Sequence, residues 1–158
     1  MPLDAVVLDH DTLQRGSEAQ RDDWNANIRA LLDQAVCDIA GPATLRVTPT
    51  EQQFVLRFEG PEGEEIFTTA LHHDLLRDQI ADYLDIVRQI ASADSLNQME
   101  ALDMAKKVTH DRAGRILKRA LRRVGFDLEA SRRLFTLLLS LKVDTTRLPG
   151  VYGHRRSR

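Results

Sequence analysis

The chain has 158 residues, 29% charged and 42% hydrophobic, with a formal net charge of −2. That is an ordinary composition for one globular domain, long enough to bury roughly 68–70% of the surface its unfolded chain would expose. No stretch approaches the ~18 consecutive apolar residues of a membrane span, and a lone cysteine, Cys37, excludes an intrachain disulfide.

From the start, "DAVVLD" (Asp4 to Asp9) is a short β-branched run that predicts a strand. The opening "MPLDAVVLDHD" has no basic start and too short an apolar run for a signal peptide. Ser17 and Gln20 fit a capping box. Behind them Trp24, Ile28, Leu31, Leu32 and Ala35 recur at helical spacing. Gly41-Pro42 ends that helix. "TLRVT" (Thr44 to Thr48) alternates, and "FVLRFEG" sets Phe54, Leu56 and Phe58 on one side. After the "GPEG" turn (Gly60 to Gly63), "EIFTTAL" (Glu65 to Leu71) is the return strand. These three strands predict an antiparallel meander whose apolar face needs a helical cover.

The remainder predicts helices. Leu76, Ile80, Tyr83, Leu84 and Val87 mark one over about 72–91. A second runs from near Asn97 to Val124, with Gly114 as a weak point or break. Asp127 caps a third, whose "LFTLLLSL" is apolar nearly all round and so suits a central buried position. Beyond Lys142 the chain loses periodicity and ends basic, the pattern of a flexible tail over 143–158. The expected fold is therefore α+β. It comprises an N-terminal strand and helix, a three-stranded antiparallel meander, then a three-helix C-terminal bundle, in a single domain over 1–142.

Two segments carry a resemblance. "QMEALDMAKKVTHDRAGRIL" lies near the pattern Gln-Ile-Glu-Ala-Ile-Asp-Met followed by a basic pair and a histidine. "ASRRLFTLLLSL" lies near Ala-Arg-Arg-Leu-Phe-Thr-Leu. In this order and spacing, over about residues 45–141, the chain resembles the uncharacterised protein family numbered 0262, found mainly in alphaproteobacteria. The resemblance implies a bacterial cytoplasmic protein of unassigned activity. It departs after the histidine, where the family usually reads Asn-Glu-Gly-Ser and this chain has Asp111, Arg112, Ala113 and Gly114.

Charge is divided along the chain. Residues 1–100 hold 7 Lys+Arg and 19 Asp+Glu, a balance of −12; residues 101–158 hold 15 and 5, a balance of +10. Within the basic part, Glu100, Asp103, Lys107 and His110 keep one helical arc, because their steps are three, four and three residues. Asp103 and His110 lie too far apart for a direct hydrogen bond but could flank a ligand. The ordinary alternative pairs Asp103 with Lys107 at i,i+4. Arg132 and Arg133 sit near the positive end of their helix, beside an apolar run, and call for a counter-charge. Asp103, Glu100 or an external anion would supply it.

Arg112, Arg115, Lys118, Arg119, Arg122 and Arg123 form a basic surface able to neutralise phosphates. Base-stacking aromatics are missing from it. Asp74, Asp78, Asp82 and Asp85 offer a matching acidic stripe, within the chain or across a dimer. "HHD" (His72 to Asp74) does not by itself make a chelate, and Cys37 reads as buried filler. No nucleophile motif, P-loop or dinucleotide fingerprint is present. The expectation is a non-enzymatic cytoplasmic protein, needing no metal or cofactor, that acts by protein association or self-association. Nucleic-acid or ribosome-associated binding through 112–123 is one alternative. A ligand or enzyme site around Asp103, His110, Arg132 and Arg133 is the other.

Overall fold

The computed structural model describes residues 3–39 and 41–148. It is α+β, as the alternation pattern requires. Strand β1 (Leu3–Leu8) is followed by helices α1 (His10–Arg15) and α2 (Glu18–Gln34). Strands β2 (Ala43–Pro49), β3 (Gln53–Glu59) and β4 (Glu65–His72) come next, then helices α3 (Arg77–Ala91), α4 (Leu96–Ala120) and α5 (Leu128–Lys142). The capping box of α2 forms as its sequence predicts, with Ser17 accepting from Gln20 N and the Gln20 side chain accepting from Ser17 N.

The sheet has the order β1-β2-β3-β4. β2, β3 and β4 make the expected antiparallel meander, with Leu45 opposite Phe58 and Phe54 opposite Leu71. β1 adds a fourth strand parallel to β2, with Val6 beside Leu45. That parallel pairing needs a crossover, which α1 and α2 supply. Leu45, Val47, Phe54, Leu56, Phe58 and Leu71 are buried on one sheet face, while Arg46, Thr68 and Ala70 meet solvent on the other.

The helices form a second layer in the order α2, α5, α4, α3. α5 is the central one, with Ala130, Leu134, Phe135, Leu137, Leu138 and Leu139 buried. Asp127 caps it through Ala130 N at 2.8 Å. α2 locks onto its far end, where buried Trp24 donates its indole N–H to the Ser140 carbonyl at 2.9 Å. A short 3-10 turn (Thr145–Arg147) follows, and buried Thr145 donates to Asp23 Oδ2 at 2.7 Å. Residues 143–148 thus lie against α2, and the rest of the expected tail falls outside the described residues.

Two boundaries differ from expectation for physical reasons. α3 starts at Arg77, because β4 runs through His72 and a 3-10 turn (His73–Leu75) intervenes. α4 ends at Ala120, although Leu121 and Val124 continue the apolar spacing; both are buried in the turn leading to Gly125. Gly125 has φ 77°, a left-handed conformation that glycine adopts without steric cost. Gly114 does not break α4. It is buried, and a Cβ there would come within 2.8 Å of Arg132 Cγ and 3.1 Å of Leu128 Cδ1. Its lack of a side chain lets α4 and α5 approach closely.

Candidate functional site

The α4–α5 contact opens beside Gly114 into a cavity of about 390 Å³. α4 contributes Asp103, Lys106, Lys107 and His110, and α5 contributes Glu129, Arg132, Arg133 and Thr136. Both sets advance in steps of one, three or four residues, so each holds one helical arc, and the two arcs face each other. Of the five candidate site residues, Asp103, His110, Arg132 and Arg133 line this one cavity, as does Lys107 from the same α4 arc. Glu100 is exposed and does not line it.

The arginines' counter-charges are not Asp103 or Glu100. Arg132 Nη1 donates to Glu129 Oε2 and Arg133 Nε to Glu129 Oε1, each at 3.1 Å. Asp111 Oδ1 lies 3.2 Å from Arg132 Nε, which is buried and makes no hydrogen bond. Glu129 is three and four residues before the arginines, so the pattern E-x-x-R-R on a helix was the signal that sequence reading overlooked. Asp103 does not pair with Lys107 and makes no ion pair among the described residues.

The lining therefore carries four cations against two carboxylates, a balance of +2 with His110 neutral, or +1 with Asp111 counted. The N-terminus of α5 adds positive potential. His110 is fixed by its surroundings. Its Nδ1 lies 3.0 Å from the Lys106 carbonyl, and its ring sits edge-on to Tyr83 (5.3 Å) and Phe135 (5.5 Å). Burial holds its pKa below the usual 6.5 despite the Lys106 backbone hydrogen bond, and the charges of Lys106 and Arg132 push the same way. The imidazole is thus neutral at pH 7. Burial likewise raises the Tyr83 phenol, with Asp23 adding to it.

The basic surface is a separate feature. Arg112, Arg115, Lys118, Arg119, Arg122 and Arg123 are exposed and make no ion pair among the described residues. Arg123 stacks its guanidinium over the Phe67 ring at 4.8 Å. The proposed match with Asp74, Asp78, Asp82 and Asp85 does not form within the chain. α3 turns Tyr83 and Val87 inward, which leaves its aspartates on the outer side; Asp74 pairs with Arg77, and Asp85 accepts from Gln89. The basic stripe continues toward the α4 N-terminus as exposed Met104 (59%) and Val108 (40%).

His72 and His73 serve local structure. His72 Nδ1 accepts from Asp74 N at 3.1 Å, and His73 Nε2 contacts the Thr50 carbonyl at 2.8 Å. They lie, with Arg77, Ile80 and Lys142, around a second, more apolar cavity of about 420 Å³. Cys37 is buried.

Comparison with known proteins gives the site its family context. The family model described as "Uncharacterised protein family (UPF0262)" matches residues 2–144. The chain belongs to the UPF0262 family. Its UPF0262 relatives include a protein of Hyphomonas neptunium, 29% identical over 94% of this chain and 96% of that protein. Another, from Phenylobacterium zucineum, is 31% identical over 88% of this chain and 91% of its own length. A third, from Methylobacterium radiotolerans, is 30% identical over 88% and 91%. No solved structure matches. The UPF0262 match is wider than the segment 45–141 on which the sequence motifs fall, and it takes in the crossover helices and β1. Among the described residues no helix is long and apolar enough to cross a membrane.

Proposed function

We propose that this UPF0262 protein is a cytoplasmic binding protein for a small anion, held between α4 and α5. One observation carries this reading. Lys106, Lys107, Arg132 and Arg133 converge on a single cavity, and Glu129 is shared between both arginines rather than neutralising each. Guanidinium forks and ammonium groups in a partly enclosed space favour carboxylate or phosphate ligands. Calorimetric titration with inorganic phosphate and with succinate at low salt tests this. Saturable binding is expected, weakened at least ~10-fold by Arg133→Gln, the loss of about one charge-assisted hydrogen bond. No binding of either anion would remove the reading.

A second reading rests on the outer face of α4. Leu96, Met104 and Val108 are exposed there at 73%, 59% and 40%, and the unpaired arginines continue the surface. An apolar patch beside a cationic one supports association with an acidic protein surface or with a second copy. Sedimentation velocity at high concentration, with Met104→Glu as the control, tests self-association; a monomer throughout counts against it. The arginine half alone could also hold nucleic acid. That version requires RNA or duplex DNA binding at ~50 mM salt that weakens steeply as salt rises.

A further inference from the structure

The anion pocket contains acceptors as well as donors, and these restrict its ligand. Lysine and arginine side chains can only donate. Glu129 is occupied by both arginines. Three lining groups remain able to accept a hydrogen bond: the Asp103 carboxylate at the exposed rim, the Thr136 hydroxyl, which spends only its proton on the Arg132 carbonyl, and the His110 ring, the one of them fixed in orientation by rings on both sides.

The His110 tautomer follows from its partner. A backbone carbonyl only accepts, so Nδ1 must carry the proton it gives to Lys106 O. Nε2 is then a lone pair. It has no hydrogen-bond partner among the described residues and is not sealed from solvent. A ring flip would break the Nδ1 bond, and contacts with Tyr83 and Phe135 hold the ring in place. An anion that presented only acceptor atoms would leave Nε2 unsatisfied as it displaced water, and would meet repulsion from Asp103.

We propose that the ligand is a hydroxyl-bearing anion, whose O–H donates to His110 Nε2 while its charged group rests on Arg132, Arg133 and Lys107. The chemistry is shared by a hydrogen phosphate, with its P–O–H, and by a hydroxycarboxylate. This rests on the anion-pocket reading and narrows it. A site that hydrogen-bonds a ligand hydroxyl discriminates strongly against the analogue without one, because its own polar group is left unpaired.

The test uses two matched pairs with the full-length chain at pH 6.5: inorganic phosphate against sulfate, and malate against succinate. The first member of a pair should bind ~10-fold more tightly, the equivalent of one added hydrogen bond. Which pair shows the preference tells phosphate from hydroxycarboxylate. His110→Phe keeps a ring between Tyr83 and Phe135, and it should abolish the preference within the pair. In the wild-type chain, the Nε2 nitrogen resonance should shift on adding the hydroxylated member and stay put with its partner. Equal affinities within both pairs would overturn the inference while sparing the anion pocket. So would a preference that survives His110→Phe. Failure of all four anions to bind would overturn both.

Discussion

His110 is the residue whose environment makes the sharpest demand on solution behaviour. Its pKa is lower in the folded chain than the ordinary 6.5, first because it is buried and further because Lys106 and Arg132 lie near. Below that ordinary value the unfolded chain takes up a proton that the folded chain refuses. The stability contribution is therefore complete above about pH 6.5 and declines as pH falls toward the folded pKa, at about 1.4 kcal/mol for each unit of lowering. Urea denaturation at pH 7.5 and pH 5 should show wild type losing more stability than His110→Phe. Equal losses would mean the imidazole titrates freely. Asp103 and His110 stood out in the sequence because helical spacing puts them on one arc, and Arg132 and Arg133 because two cations near the positive end of a helix call for a counter-charge. Of the arginines' counter-charges, Glu129 lay in the local E-x-x-R-R spacing, but Asp111 had no such signal. Asp111 meets Arg132 only because of how far α4 has slid along α5, a tertiary register that no local pattern encodes.

At the scale of the element, that register depends on Gly114. Alanine in a helix interior ordinarily gains about 1 kcal/mol over glycine. Here the added Cβ meets Arg132 Cγ at 2.8 Å and Leu128 Cδ1 at 3.1 Å, and the nearest Arg132 atom is at the root of the side chain, not its mobile end. Gly114→Ala should therefore destabilise the protein by about 1–3 kcal/mol, the usual cost of overpacking, and should weaken anion binding as Arg132 is displaced. A thermal melt that rises on substitution would show that the helices simply part. The sequence did flag Gly114, but for the wrong cause. Propensity weighs the glycine against its own helix, whereas its function lies in the neighbouring one. The meander was readable from alternation alone. The place of β1 was not, since a parallel partner across two helices leaves no short-range turn signal.

Over the whole molecule, the aspartates of α3 and the arginines of α4 are exposed and make no ion pair with each other among the described residues. α3 and α4 pack against each other with Tyr83, Val87 and Ala113 buried, and the aspartates of one and the arginines of the other stay in solvent. The opposed charges therefore do not cancel within the chain. Any association through the α4 face should weaken with salt, whereas the fold itself, resting on the buried α5 core, should not. Comparing sedimentation and melting temperature at ~50 and ~500 mM salt separates the two.

α2 and its clasp set an order of events as well as a shape. Trp24 and Asp23 are made early, yet the groups that complete their hydrogen bonds, Ser140 and Thr145, are made more than 110 residues later. On a ribosome, α2 must wait with its indole in water until α5 and the turn behind it have emerged. The layer of helices can close only after nearly all of the described chain has been synthesised. Trp24 is the sole tryptophan, so its fluorescence times that closing step. Nascent chains arrested before Ser140 should keep the emission of a solvated indole, and those extended past Thr145 should not.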